Sequence, residues 1–285
     1  MFAAVKNHLS NEKFQNLRNR GFMLVSVLFI LALVGAGSYK FFLAWIIRDP
    51  IEQIHLWHVA ELAALTILLF AGTLLWLLQR SQEKPLLAQF FVFGIVFLAV
   101  LFTPFVPQAP ALLILLGLFI VLYPKSRDLV SFSREGRVSK LLLGLSVVAA
   151  VVLLPNAWKE YQWQIAGWQF GEIHALDLHW VGSAVLTTLL IVGGLLASTK
   201  RAGWRELGII VGGIYVYLGV IGMITPEQAG SWGAAGGLFG IILGIWYIII
   251  TVLESQSTDK KLAAPVVESS TTFEAKPANE MIAVR

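Results

Sequence analysis

His58-Val-Ala-Glu-Leu-Ala-Ala-Leu-Thr66 recurs 121 residues later as His179-Trp-Val-Gly-Ser-Ala-Val-Leu-Thr187, and each copy opens a long apolar run. Roughly 20 apolar residues are what a helix needs to span a bilayer, where an unpaired backbone cannot be tolerated. The histidine at the start of each copy is therefore expected at a membrane surface. The same register joins Lys40 to Lys159, His55 to His174, Gly72 to Gly193, Thr103-Pro104 to Thr225-Pro226 and Gly117-Leu118-Phe119 to Gly237-Leu238-Phe239. Anchors in order at nearly one offset read as a tandem duplication.

Composition agrees with a membrane chain: 57% of the 285 residues are hydrophobic and 13% charged, far from soluble averages. Eight spans are expected, at 21–39, 58–78, 86–103, 109–123, 139–154, 179–198, 206–225 and 231–253. The fourth and fifth are short. The first follows basic residues like a signal peptide, but its apolar run exceeds the roughly 7–15 residues of such peptides and reads as a retained helix. Four spans per half put both halves in the membrane the same way round. The expected fold is an all-α integral membrane protein of eight transmembrane helices. They form two parallel four-helix repeats (4+4), related by a pseudo-two-fold axis along the membrane normal. The divisions are a 1–20 arm, a 21–124 repeat, a 125–138 linker, a 139–253 repeat and a flexible 254–285 tail.

Of 21 lysines and arginines, all but Lys40, Arg48 and Lys159 fall on one side of this topology. By the positive-inside rule that side, with both termini, is cytoplasmic, and the membrane is the plasma or inner membrane. The basic pI belongs to cytoplasmic loops and gives no reason to expect a nucleic-acid partner. Residues 155–178, with Trp158, Trp163 and Trp168, suit a helix lying in the outer interface. Seven of the ten tryptophans lie toward the outer side, which suits aromatic anchoring or a docked partner subunit or ring. Gly236, Gly240 and Gly244, and Gly208 with Gly212, recur every four residues, the spacing that lets membrane helices approach closely.

The chemistry concentrates on the outer side. His55, His58 and Glu61 are spaced three apart on one helix face, with Glu61 a turn into the membrane, where an acid is costly unless paired, cation-bound or wet. His174 and His179 are their partners in the second half, where Gly182 stands opposite Glu61 and leaves room. The chain has no cysteine, so a metal must take nitrogen, oxygen or methionine ligands. Histidine with carboxylate suits zinc, non-haem iron or copper, and a histidine pair suits haem. The candidate metal ligands are His55, His58, Glu61, His174 and His179, with His58 and His179 the pair for a cofactor and Met223 a possible axial ligand. Belt histidines of an interface, or a proton or cation path, account for the same residues. No phosphate loop, dinucleotide fingerprint or serine elbow is present. Prolines at helix ends weigh against a broken-helix transporter.

The lysine after the first helix (Gly37-Ser38-Tyr39-Lys40) and the acid opening the second (Ala60-Glu61-Leu62) resemble the DoxX-type four-helix membrane proteins at those positions. No functional residue is carried over from them. Two functions fit: a redox or electron-transport subunit with a metal or haem site at the outer face, or a non-catalytic scaffold in a larger membrane complex.

Overall fold

The computed structural model describes residues 2–79, 83–131 and 138–263. Five of the basic residues used for orientation (Arg80, Arg134, Arg137, Lys276 and Arg285), the 132–137 part of the linker and the 264–285 part of the tail lie outside them.

Every regular element among the described residues is helical. They are α1 (Phe2–Phe41, running into a π-helical stretch Phe42–Ile47), α2 (Pro50–Gln53), α3 (Leu56–Gln79, π-helical over Ala64–Ala71), α4 (Pro85–Phe102) and α5 (Ala111–Leu122). There follow α6 (Lys140–Phe170), α7 (Ile173–Leu176), α8 (His179–Ser198), α9 (Trp204–Ile224) and α10 (Gly233–Ala263). Seven of them, all but α2, α5 and α7, contain a stretch long and apolar enough to cross a membrane. The twelve residues of α5 rise only about 18 Å. It nonetheless runs along α1, lining one cavity with it through Leu112 and Ala36, packing Phe119 on Phe22 at 5.2 Å and ending with Leu122 against Gly21, where Arg18 donates to the Pro124 carbonyl.

Apolar side chains line the outside as well as the core. Leu24, Leu28 and Leu31 of α1, Val147, Val148, Val151 and Val152 of α6, and Ile242, Ile245 and Trp246 of α10 are all exposed. Rows of this kind would cost about 25 cal/mol per Å² in water and cost little against lipid tails, so the surface is that of a bilayer protein. Among the spans α8 is the most buried, followed by α9 and α3, so the two helices that begin at the histidine pairs stand at the centre.

Glycines set the closest helix contacts. A Cβ on Gly212 would lie 2.8 Å from the Gly244 carbonyl oxygen, and one on Gly219 would lie 2.5 Å from that of Gly237, so α9 and α10 touch backbone to backbone. At the end away from the histidines, polar ties lock the loops. Lys84 pairs with Glu206 at 3.2 Å and Lys200 with Glu254 at 2.6 Å, while Gln89 donates to the carbonyls of Asp128, Leu129 and Ser131.

Three boundaries differ from expectation. The helix expected to stop at 154 runs through Pro155 to Phe170 and ends at Gly171, whose φ of 71° suits a glycine. Its extension is held by Gln164, fully buried, which donates to the Ala175 carbonyl at 2.7 Å and accepts from the Val181 amide at 3.1 Å. Residues 155–170 are therefore part of a spanning helix rather than a separate interfacial one. The last helix continues beyond 253 to Ala263, and the first begins within the expected arm, at Phe2.

Candidate metal centre

Asp49 starts α2 as its N-cap, accepting from the Ile51 amide at 2.9 Å with Pro50 in the first turn, and the short helix delivers His55 to the head of α3. His58 and Glu61 follow on α3. On the other side Glu172 caps α7, accepting from the amides of His174 (3.1 Å) and Ala175 (2.9 Å). Asp177 ends that turn, and Leu178, held left-handed at φ 62°, reverses the chain into α8 at His179. A leucine in that region costs roughly 1–2 kcal/mol, so the packing around Asp177 and His179 holds it there.

The two strands of chain bring four imidazoles into one packed group. His55 lies 4.9 Å from His174 and 4.7 Å from His179, ring centre to ring centre, while His58 lies 5.4 Å from His174 and 4.8 Å from His179. Each histidine of the first half thus touches both of the second. His55 and His58 are buried.

Carboxylates hold two of these rings. His58 Nδ1 is 3.0 Å from Glu61 Oε2, which also accepts from the Ser183 hydroxyl, and His174 Nδ1 is 2.6 Å from Glu172 Oε1. A carboxylate on one ring nitrogen fixes the tautomer and leaves the other nitrogen as a lone-pair donor, the usual arrangement behind a metal ligand. In His58 and His174 that other nitrogen, Nε2, is buried and without a hydrogen-bond partner, and so, with no carboxylate behind them, are Nε2 of His55 and Nδ1 of His179. Four such orphaned nitrogens in one cluster are costly unless something fills their lone pairs.

Among the described residues one ligand set converges. Ligand atoms of His55, Asp177 and His179 all lie within 4.8 Å of one another, so this group is able to hold a metal ion. Two nitrogens and an oxygen suit zinc, iron or copper. Burial, followed by repulsion from His174, lowers the His55 pKa below its ordinary value and keeps the ring in the neutral form that binds metal. Burial would raise Glu172, but hydrogen bonds from His174, Trp180 and the Ala175 amide outweigh it and bring its pKa to about 2.

Haem does not fit between His58 and His179. Two imidazoles on opposite faces of one iron need ring centres about 6 Å apart, given metal–nitrogen bonds of about 2 Å, with a macrocycle between them. These two rings are stacked at 4.8 Å and 17°. Met223 is exposed and packs by Gly237 of α10, outside the cluster.

Two acids were not singled out in the sequence. Asp177 lies in a short turn with no motif to mark it, yet it supplies the oxygen of the converging set. Glu160 of α6 is buried, with Oε2 unpartnered and Oε1 accepting from Asn156 at 3.2 Å. In the sequence it is an acid following Trp158-Lys159 among the amides and aromatic residues of the second half of α6.

Beside the cluster is a cavity of about 300 Å³ whose walls include Asp177, His179, Glu61 and Ser183 and the apolar side chains of Leu65 and Phe102. Neither a family model, nor a curated protein, nor a solved structure matches the chain.

Proposed function

We propose that this chain is a multi-pass membrane protein that binds one divalent transition-metal ion through His55, Asp177 and His179, and that it serves as a redox or electron-transfer subunit. The observation that carries the reading is the set of four facing imidazoles whose remaining ring nitrogens are buried and unpartnered beside a converging carboxylate. His58 and His174, steadied by Glu61 and Glu172, form the surrounding shell. Two histidines and one carboxylate with open positions are the donor set of non-haem iron, which supports the redox role, with copper or zinc as the other ions this set takes.

The proposal includes the 4+4 repeat and eight crossings, with α5 as a short fourth span in a thinned bilayer. It also includes cytoplasmic termini, a plasma-membrane location and a place among other membrane subunits. Arg18 bonded to the Pro124 carbonyl and Lys200 paired with Glu254 put the head of the first span and the end of the last beside basic loops, which supports an even number of crossings. A non-catalytic accessory subunit is the second reading, favoured by Phe170 and Trp158, two large aromatic side chains that stand exposed on α6.

The test is metal analysis of protein purified in detergent without a histidine tag, then loaded with iron(II), zinc or cobalt(II). About one equivalent is expected, with most of it lost in His55→Ala, Asp177→Ala and His179→Ala and retained in His8→Ala. A wild-type protein that takes up no ion at micromolar concentrations overturns the metal reading and leaves the accessory subunit.

A further inference from the structure

The cavity beside the cluster shares two of its wall residues, Asp177 and His179, with the proposed ligand set. Three protein ligands leave a coordination position open, the mark of a metal that meets a small molecule rather than one that only holds a fold. A molecule in the cavity touches two of the three ligands of that set.

The walls specify the molecule. Leu62, Leu65 and Phe102 give it apolar contact, while the fixed polar groups, Glu61, Ser183 and His58, are joined to one another by hydrogen bonds. That arrangement accepts an apolar body with one polar group. Lys40 is neutralised by its ion pair with Glu52, so in the metal-free cavity no unpaired cation calls for an anion and the carboxylate of Asp177 favours a neutral polar group. The size is set by Gly182, on the cavity wall, where a Cβ would meet nothing within 4 Å. Roughly 150 Å³ of apolar cavity holds a benzene ring, so the volume here, about twice that, admits a ring with a short substituent.

We propose that this cavity binds a phenol, neutral in the metal-free protein, its ring among Leu62, Leu65 and Phe102 and its hydroxyl toward the position left open by His55, Asp177 and His179. The proposal rests on the metal reading for the direction of the hydroxyl and on the cavity alone for the ring.

The test uses the full chain in detergent and a series of 4-alkylphenols. Binding to metal-free protein is followed by equilibrium dialysis, and binding to the cobalt(II) form by its visible spectrum. Wild type is expected to bind one equivalent saturably, about fourfold more tightly for each added methylene until the cavity is full. Gly182→Leu, and independently Leu62→Phe, should weaken binding tenfold or more and abolish the phenol-induced shift of the cobalt bands. Uptake that is unsaturable, or equal in all three proteins, overturns the proposal in favour of partition into detergent. A co-purifying lipid that fills the cavity at one equivalent and is not displaced by the phenols also overturns it. Saturable phenol binding without cobalt uptake leaves the cavity standing and removes the metal reading. Cobalt uptake without saturable phenol binding does the reverse.

Discussion

The hydroxyl of Ser146 on α6 lies 2.6 Å from that of Tyr247 on α10, both fully buried, and the pair sits over Gly194 of α8. A Cβ on Gly194 would collide with the tyrosine hydroxyl and lie 2.9 Å from Ser146 Oγ. The three helices meet here through one hydrogen bond and one missing side chain.

Tyr247→Phe is therefore expected to cost about 1 kcal/mol, at the lower end for a buried hydrogen bond because Ser146 keeps its bond to the Leu142 carbonyl at 2.7 Å. Gly194→Ala is expected to cost about 1–3 kcal/mol through overpacking. Thermal unfolding in detergent, followed by tryptophan fluorescence, reads both. A Gly194→Ala protein as stable as wild type would mean that α8 does not approach α10 at this point.

The contact between α9 and α10 predicts a sharper contrast. Gly244→Val puts a branched side chain against the Gly212 carbonyl and the Val216 amide, backbone that cannot yield, so the two helices must separate. Gly213→Ala on α9 meets nothing within 4 Å and is expected to be neutral or slightly stabilising, since alanine is the better helix former by about 1 kcal/mol. Equal melting temperatures for the two variants would contradict the backbone contact.

The spacing of the glycines showed where helices can approach, and the apolar runs showed where they lie, because both are local properties of the chain. What was not legible depends on distant contacts. Pro155 reads as a helix end, since proline lacks the amide that α-helix needs, yet Gln164 docks the next turns onto α7 and α8 and the helix continues. Glu254 opens a polar sequence that resembles a tail, but its pairing with Lys200 and its bond from Ser139 at 2.9 Å anchor that turn of α10. The histidines were visible as candidates because their types and repeat register stand out. Asp177 was not, since its approach to His55 and His179 depends on Leu178 adopting a left-handed backbone that no side-chain preference announces.

Glu172 supplies a pH dependence. Its pKa of about 2 in the folded chain lies below the ordinary 4.5, so the folded state favours the carboxylate. The resulting stability is complete above pH 4.5 and is lost as pH falls toward 2. The difference in melting temperature between wild type and Glu172→Gln should therefore be constant from pH 7 to about 5 and shrink below 4.5. A difference that grows on acidification would reverse the assigned sign.

The orientation is open to direct measurement, because the chain contains no cysteine and single substitutions give clean labelling sites. Lys159 and Ser257 are both exposed, on α6 and α10. In intact cells an impermeant maleimide is expected to react with Lys159→Cys and to reach Ser257→Cys only after permeabilisation. The opposite pattern would invert the protein in the membrane.

His55, His58 and Glu61 come from the chain before Ser131, and His174, Asp177 and His179 from the chain after Val138, so neither portion owns a complete set of ligands. The proposed centre thus lies between two portions of one chain, whose covalent link keeps its two contributors at equal dose. Expressed as two separate polypeptides, the portions would have to meet before any ligand set is complete, since each alone lacks the imidazoles that face its own. A single chain disfavours the competing like-with-like pairings, in which a first portion meets another first portion and the carboxylate of Asp177 is never supplied.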